Sequence, residues 1–177
     1  RGELDRVREG RPHPERQGLL YPPFAFGSKE AREGVEKEGY RVPGLGDPNV
    51  PESFSVWELD ISEPANPRVT ARIKTGVLVG EMVEGIPAVG GSSPNSVAAT
   101  DDRVFVSNGN NDTISVIDTE KDAVIQTIRL TLDERLKNLR GIIPFGLALS
   151  PDQKRLFVAE AGINAVSLID TRDGRVL

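Results

Sequence analysis

The sequence predicts an all-β chain of four-stranded antiparallel blades, part of a β-propeller. Three observations carry that prediction. A unit recurs, with Asp118 and Asp170 standing 52 residues apart at the same place in two copies. Each copy divides into short apolar runs bounded by Gly, Asn, Asp and Pro, as hairpin strands are. Several runs are apolar at consecutive positions, which suits a sheet covered on both faces and not one with a wet face.

The two copies align without a gap over Arg103–Asp118, RVFVSNGNNDTISVID, and Arg155–Asp170, RLFVAEAGINAVSLID. Val104 falls on Leu156, Phe105 on Phe157, Val106 on Val158, Ile114 on Val166 and Ile117 on Ile169. Strand a is expected at Ser96–Ala99 and Gly146–Leu149, each behind a proline, Pro94 or Pro144. Strand b is expected at Arg103–Ser107 and Arg155–Ala159, and strand c at Thr113–Asp118 and Ala165–Asp170. Strand d follows a TEKD or TRDG turn, at Ala123–Leu130 and from Arg175 to Leu177. An earlier, degraded unit, Phe54–Gly76, carries strand c up to Asp60 and strand d around Val69–Lys74. Its strand b is expected within Gly18–Phe26. The Asp that ends each strand c, Asp60, Asp118 or Asp170, suits an Asx turn, in which the carboxylate accepts backbone N–H groups of the next turn.

The organisation expected is a charged, disordered segment over 1–17 and a degraded blade with a long insertion over 18–76. A d–a loop over 77–93, a blade over 94–130, a d–a loop with a short helix over 131–143 and a blade over 144–177 follow. Propellers close with about 4–8 blades. The chain opens on Arg1 and stops where strand d begins, so it is expected to be a fragment, or one whose ring other copies complete.

Composition narrows function. The net charge is -5 in 177 residues, which argues against nucleic acid, whose phosphates need a basic patch. There is no cysteine, hence no disulfide framework and no thiol nucleophile. No apolar run is long enough to span a bilayer. His13 is the only histidine, so a Ser-His-Asp triad would have to use it, in a charged Pro-rich segment.

The repeats resemble those of the YVTN family of β-propellers, of the YncE type. That family's name strand appears as Val104-Phe105-Val106-Ser107-Asn108 and Leu156-Phe157-Val158-Ala159-Glu160, with Glu160 in place of Asn. Its SPDG turn appears as Ser150-Pro151-Asp152-Gln153. The resemblance implies a WD40-like propeller, of seven blades in the family's usual form. A narrower resemblance covers most of Leu19–Leu177, through LLYPPFAFGSKEAREG, GGSSPNSVA, SNGNNDTISVID and LRGIIPFGLALSPD. These segments look like the propeller part of bacterial proteins that fuse such a propeller to an alkaline-phosphatase-like phosphoesterase domain. The narrower resemblance implies a periplasmic or secreted protein whose partners are that phosphoesterase-like domain and the remaining propeller blades. No catalytic residue carries over.

Strand parity places the b–c turns and the d–a connections on one face of the blades and the a–b and c–d turns on the other. The d–a connections Val77–Ser93 and Thr131–Ile143 are long, so their face is the candidate functional one. Candidate ligand-binding residues there are Asn95, Asn108, Asn110, Asn111, Asp112, Glu160 and Asn164. Asn108–Asp112 has the carbonyl and carboxylate composition of a calcium or polar-ligand loop. Asp112 is its only carboxylate, so turn chemistry is the simpler reading and no cofactor is expected. Asn111-Asp112-Thr113 also matches a glycosylation sequon, read as coincidental. Glu81, Glu84, Asp133 and Glu134 are charges of the d–a insertions, Trp57 is read as packing between blades, and Val89–Ser93 leads into a strand rather than a phosphate-binding helix.

Three functions fit. The first is a non-catalytic module that packs on, or presents substrate to, a phosphoesterase domain. The second is a propeller enzyme, lactonase- or hydrolase-like, with Asn95 near a central channel. The third is a stand-alone binding scaffold.

Overall fold

A computed structural model of the chain describes residues 16–21, 35–37, 40–42, 54–77, 81–83, 86–87, 91–136 and 139–177. His13 and the rest of 1–15, residues 22–26, Glu84 and Val89-Gly90 lie outside the described residues. Three antiparallel sheets follow one another along the chain. The first joins β1 (Arg16–Tyr21), β4 (Ser55–Asp60) and β5 (Arg68–Lys74) in that order. The second runs β8 (Pro94–Ala99), β9 (Arg103–Asn108), β10 (Thr113–Asp118), β11 (Ala123–Arg129). The third runs β12 (Pro144–Leu149), β13 (Arg155–Glu160), β14 (Ala165–Asp170), and Val176 bridges Ile169 where a fourth strand starts. Two hairpins are added in the connections, β2 (Val35–Lys37) with β3 (Tyr40–Val42) and β6 (Met82–Val83) with β7 (Ile86–Pro87). The chain is thus all-β, a run of propeller blades.

Three boundaries differ from expectation. Strand a begins at its proline, because the pairing is bulged just after Pro94 and Pro144, where a missing N–H costs no ladder bond. Strand b of the first blade is Arg16–Tyr21, so Arg16 pairs with Asp60 and Gln17 with Leu59 instead of belonging to a disordered segment. In 131–143 the expected helix is a single 3-10 turn, Glu134–Leu136.

Consecutive apolar residues fill both faces of a blade. Phe105 and Val106 are both fully buried on opposite sides of β9. Val106 and Ile117 pack on Val56 of the first blade. Phe105, Ile114 and Val116 pack against Leu156, Val158 and Ile169 of the third. The half-buried Trp57 ring lies under Arg72, 4.9 Å from the guanidinium carbon, on the strand paired with its own.

The Asx turns form as expected. Asp60 Oδ1 accepts Ser62 N–H at 2.9 Å, Asp118 Oδ1 accepts Glu120 N–H at 2.9 Å, and Asp170 Oδ1 accepts Arg172 N–H at 3.0 Å. In the a–b turn of the third blade Gln153 takes a left-handed φ of 57°, at the site where SPDG turns carry Gly. The turn carboxylates titrate low. The Lys121 ammonium, then the Lys121 and Glu120 amides, hold Asp118 below its ordinary value. The Arg172 amide, then the nearby arginines, do the same for Asp170. A folded-state pKa below the unfolded value gives stability that is complete above the unfolded value and is lost as pH falls through the folded one. The melting temperature is therefore expected to fall as pH drops below about 4. Thermal melts from about pH 5 to about pH 2 check this, and Asp118→Asn with Asp170→Asn should flatten the dependence. An unchanged slope in that double variant would assign the acid response to other groups.

Candidate functional site

On the b–c and d–a face each loop is pinned by repeated backbone bonds. Gly109 N–H and Asn110 N–H donate to the Ser93 and Ser92 carbonyls at 3.0 and 3.1 Å. In the next blade Ala161 N–H and Gly162 N–H donate to the Ile143 and Ile142 carbonyls at 3.0 and 2.9 Å. The residue just before each strand c is left-handed: Phe54, Asp112 and Asn164 have φ of 49°, 52° and 54°. Ser93 and Ile143, which precede the strand-a prolines, are left-handed too, at 50° and 53°. A β-branched residue in that region is strained unless its surroundings hold it there.

Asp112 supplies that hold. Its buried carboxylate accepts Gly141 N–H at 2.8 Å through Oδ2 and Ile143 N–H at 2.9 Å through Oδ1. Asn95 Nδ2 donates to the Pro144 carbonyl at 3.4 Å, and Ser107 Oγ to the Phe145 carbonyl at 2.9 Å. Gly162 packs so closely on the Gly141 carbonyl that a Cβ there would overlap it. Segment 141–145 is thus clamped between the second and third blades.

The candidate residues therefore divide. Asn108 is fully buried, its amide donating to Thr113 Oγ1 at 3.1 Å and Ser115 Oγ at 2.9 Å, while Oδ1 has no protein partner. Asn111 Oδ1 accepts Val77 N–H at 2.7 Å, tying this loop to the first blade's exit. Glu160, the repeat equivalent of Asn108, is buried and accepts the Ser167 hydroxyl. Asn110 and Asn164 are exposed. Asn95 and Asn108–Asp112 come together in one blade, Glu160 and Asn164 in the next, and segment 141–145 links the two groups. Among the described residues no three His, Cys, Asp or Glu side chains converge as a metal site would need. Glu81 and Asp133 lie on the connections, and Arg135 holds Asp133 below the ordinary carboxylate range through paired bonds of 2.8 and 2.9 Å.

The sequence reading missed a set of exposed apolar groups on the d–a connections. Leu132, Leu136 and Leu139 are 64%, 39% and 65% exposed in the second d–a connection, and Met82 is 62% exposed in the first. The signal available in the sequence is the i, i+4, i+7 spacing of the three leucines within the segment expected to form a short helix. The opposite face carries a cleft of about 240 Å³ between Thr100–Arg103 and Thr171-Arg172. Arg103 crosses it to donate to the Thr171 and Arg172 carbonyls at 2.8 and 2.7 Å.

No family model matches the chain, and the search of curated proteins found no match. Among solved structures, hydrazine synthase of Kuenenia stuttgartiensis is 23% identical, with a TM-score of 0.52 over 75% of this chain and 30% of that one. Apo AztD from Citrobacter koseri is 13% identical, with a TM-score of 0.43 over 70% of this chain and 28% of that one. The chain spans less than a third of the length of either protein. The likeness to hydrazine synthase is one of fold, and it agrees with the β-propeller architecture.

Proposed function

We propose that the chain is a non-catalytic YVTN-type propeller module of an exported protein. In this reading its b–c and d–a face seats an attached or neighbouring phosphoesterase-like domain. The observation that carries the reading is the exposed set Leu132, Leu136 and Leu139 on the d–a connection that runs into segment 141–145, which Asp112 and Asn95 hold. Exposed apolar side chains grouped on loops over a rigid scaffold suit protein docking better than binding of a small polar ligand. The candidate asparagines support the scaffold: Asn95 Nδ2, Asn108 Nδ2 and Asn111 Oδ1 each bond to their own or a neighbouring blade. The narrower resemblance to propeller–phosphoesterase fusions supplies the identity of the domain.

The test is hydrolysis of a generic phosphate ester, with divalent metal, by the complete gene product and by these 177 residues. Turnover is expected only in the complete product. Leu132→Asp with Leu136→Asp and Leu139→Asp is expected to leave the melting temperature of the 177-residue chain within about 2 °C, as exposed sites do. In the complete product the same triple variant should lower turnover or speed proteolysis between the domains. Unchanged behaviour of the complete product would remove the leucines from any interface, and absence of turnover would remove the phosphoesterase.

A further inference from the structure

The cleft of about 240 Å³ on the a–b and c–d face lies between the Thr100–Arg103 turn of the second blade and Gln153, Thr171 and Arg172 of the third. Both walls are pinned from behind. Thr119 N–H donates to the Asp102 carbonyl at 3.2 Å, and Thr171 N–H donates to the Lys154 carbonyl at 3.2 Å. Thr171 Oγ1 donates to the Gln153 carbonyl at 2.7 Å, and Thr100 Oγ1 accepts Arg103 N–H at 3.1 Å. Thr100 and Thr171 are buried. Arg103 ties one wall to the other, because its Nη1 donates to the Thr171 and Arg172 carbonyls. The cleft is therefore preformed, and a ligand spends little on ordering it.

Four charged side chains line the cleft, and two of them answer each other. Asp102 Oδ2 lies 3.6 Å from Arg103 Nε, while its Oδ1 accepts the Thr100 hydroxyl at 3.0 Å. The other two stand apart. Asp101 is on one wall and Arg172 on the other, both exposed. Among the described residues neither side chain has a hydrogen bond or ion pair, and the Gln153 side-chain amide has none either. Exposed turn charges are commonly just solvated. These two share a cleft in which the remaining charges cancel, so its net charge is zero and its polarity runs from wall to wall.

We infer that this cleft binds a small zwitterion, an amino acid whose carboxylate pairs with Arg172 and whose ammonium pairs with Asp101. A guanidinium takes a carboxylate through two parallel bonds, and an ammonium is a compact donor to a carboxylate. A simple anion entering the cleft is opposed by Asp101 and Asp102, and a simple cation by Arg103 and Arg172. A molecule that carries both charges meets an opposite charge at each end. The free Gln153 amide adds a donor and an acceptor on the third blade's wall. This site is separate from the b–c and d–a face and does not depend on what docks there.

Backbone-amide NMR of the 177-residue chain, titrated with glycine, β-alanine, γ-aminobutyrate and ε-aminohexanoate, tests the inference. At least one of the four is expected to saturate, with a Kd on the order of 1 mM and shifts centred on the amides of 100–103, 153 and 171–172. Butyrate and butylamine, with one charge each, should bind at least about 10-fold more weakly. Arg172→Ala and Asp101→Asn should each weaken the zwitterion by about 10-fold. Both positions are exposed, so each variant should keep its melting temperature within about 2 °C. Asp101→Lys with Arg172→Glu reverses the polarity of the cleft and should restore binding to within about 3-fold of the parent. A merely structural role for either residue would give no such recovery. The inference is overturned if none of the four saturates up to about 50 mM, or if the shifts centre elsewhere. Butyrate binding as tightly as the zwitterion would make the cleft an anion site and overturn it too. So would single variants that bind like the parent, or a reversed pair no better than they are.

Discussion

Phe105→Ala is expected to lower the unfolding free energy by about 4 kcal/mol. The ring is fully buried and belongs to the cluster that joins the second blade to Leu156, Val158 and Ile169 of the third. Truncation removes the transfer energy of the ring and leaves a cavity between two sheets that are fixed on both sides by hydrogen bonds, so little collapse can fill it. The repeat provides an internal control. Phe157 occupies the same strand position one blade later and is 42% exposed. Phe157→Ala in the 177-residue chain is expected to cost under about 1 kcal/mol. Urea unfolding of both variants measures the difference. Equal costs would mean that the apolar cluster between the blades is not what holds them together.

Asp112→Ala is expected to cost about 3 kcal/mol. It removes two charge-assisted bonds, to Gly141 N–H and Ile143 N–H, and with them the hold on a left-handed isoleucine. It also puts alanine at a φ of 52°, which Asp and Asn tolerate better. Asp112→Asn keeps one acceptor and the tolerated backbone, so about half the loss is expected. Because segment 141–145 carries the d–a connection, hydrogen exchange should rise first at Ile142 and Ile143 and at the b–c loop 161–162 that leans on them. Calcium decides between the brace and the ligand-loop reading of Asn108–Asp112. A melting temperature unmoved by added Ca²⁺ accords with a carboxylate already committed to two amides. A rise that Asp112→Asn abolishes would make the loop a cation site.

Local chemistry made the blades legible. A strand reads from its own residues, and the recurrence of Phe105 at Phe157 and Asp118 at Asp170 sets the register between units. The Asx turns at Asp60, Asp118 and Asp170 were equally local, since carboxylate and amide lie two residues apart. The candidate site was legible only as a face. Parity placed Asn108, Asp112 and Glu160 on the loop side, but their partners lie in other elements: Asp112 finds its amides in 141–143 and Asn111 finds Val77.

The sequence by itself therefore determined the repeating unit, its strand order, its turns and the fact that both sheet faces are apolar. Each of these follows from residue type and short spacing. Tertiary structure decided which of two equivalent residues is core and which is surface, as Phe105 and Phe157 show, because burial depends on the neighbouring blade and not on the strand. It likewise decided that Asp112 is a brace and that three leucines stand clear of it, since hydrogen-bond satisfaction and exposure are properties of what packs alongside.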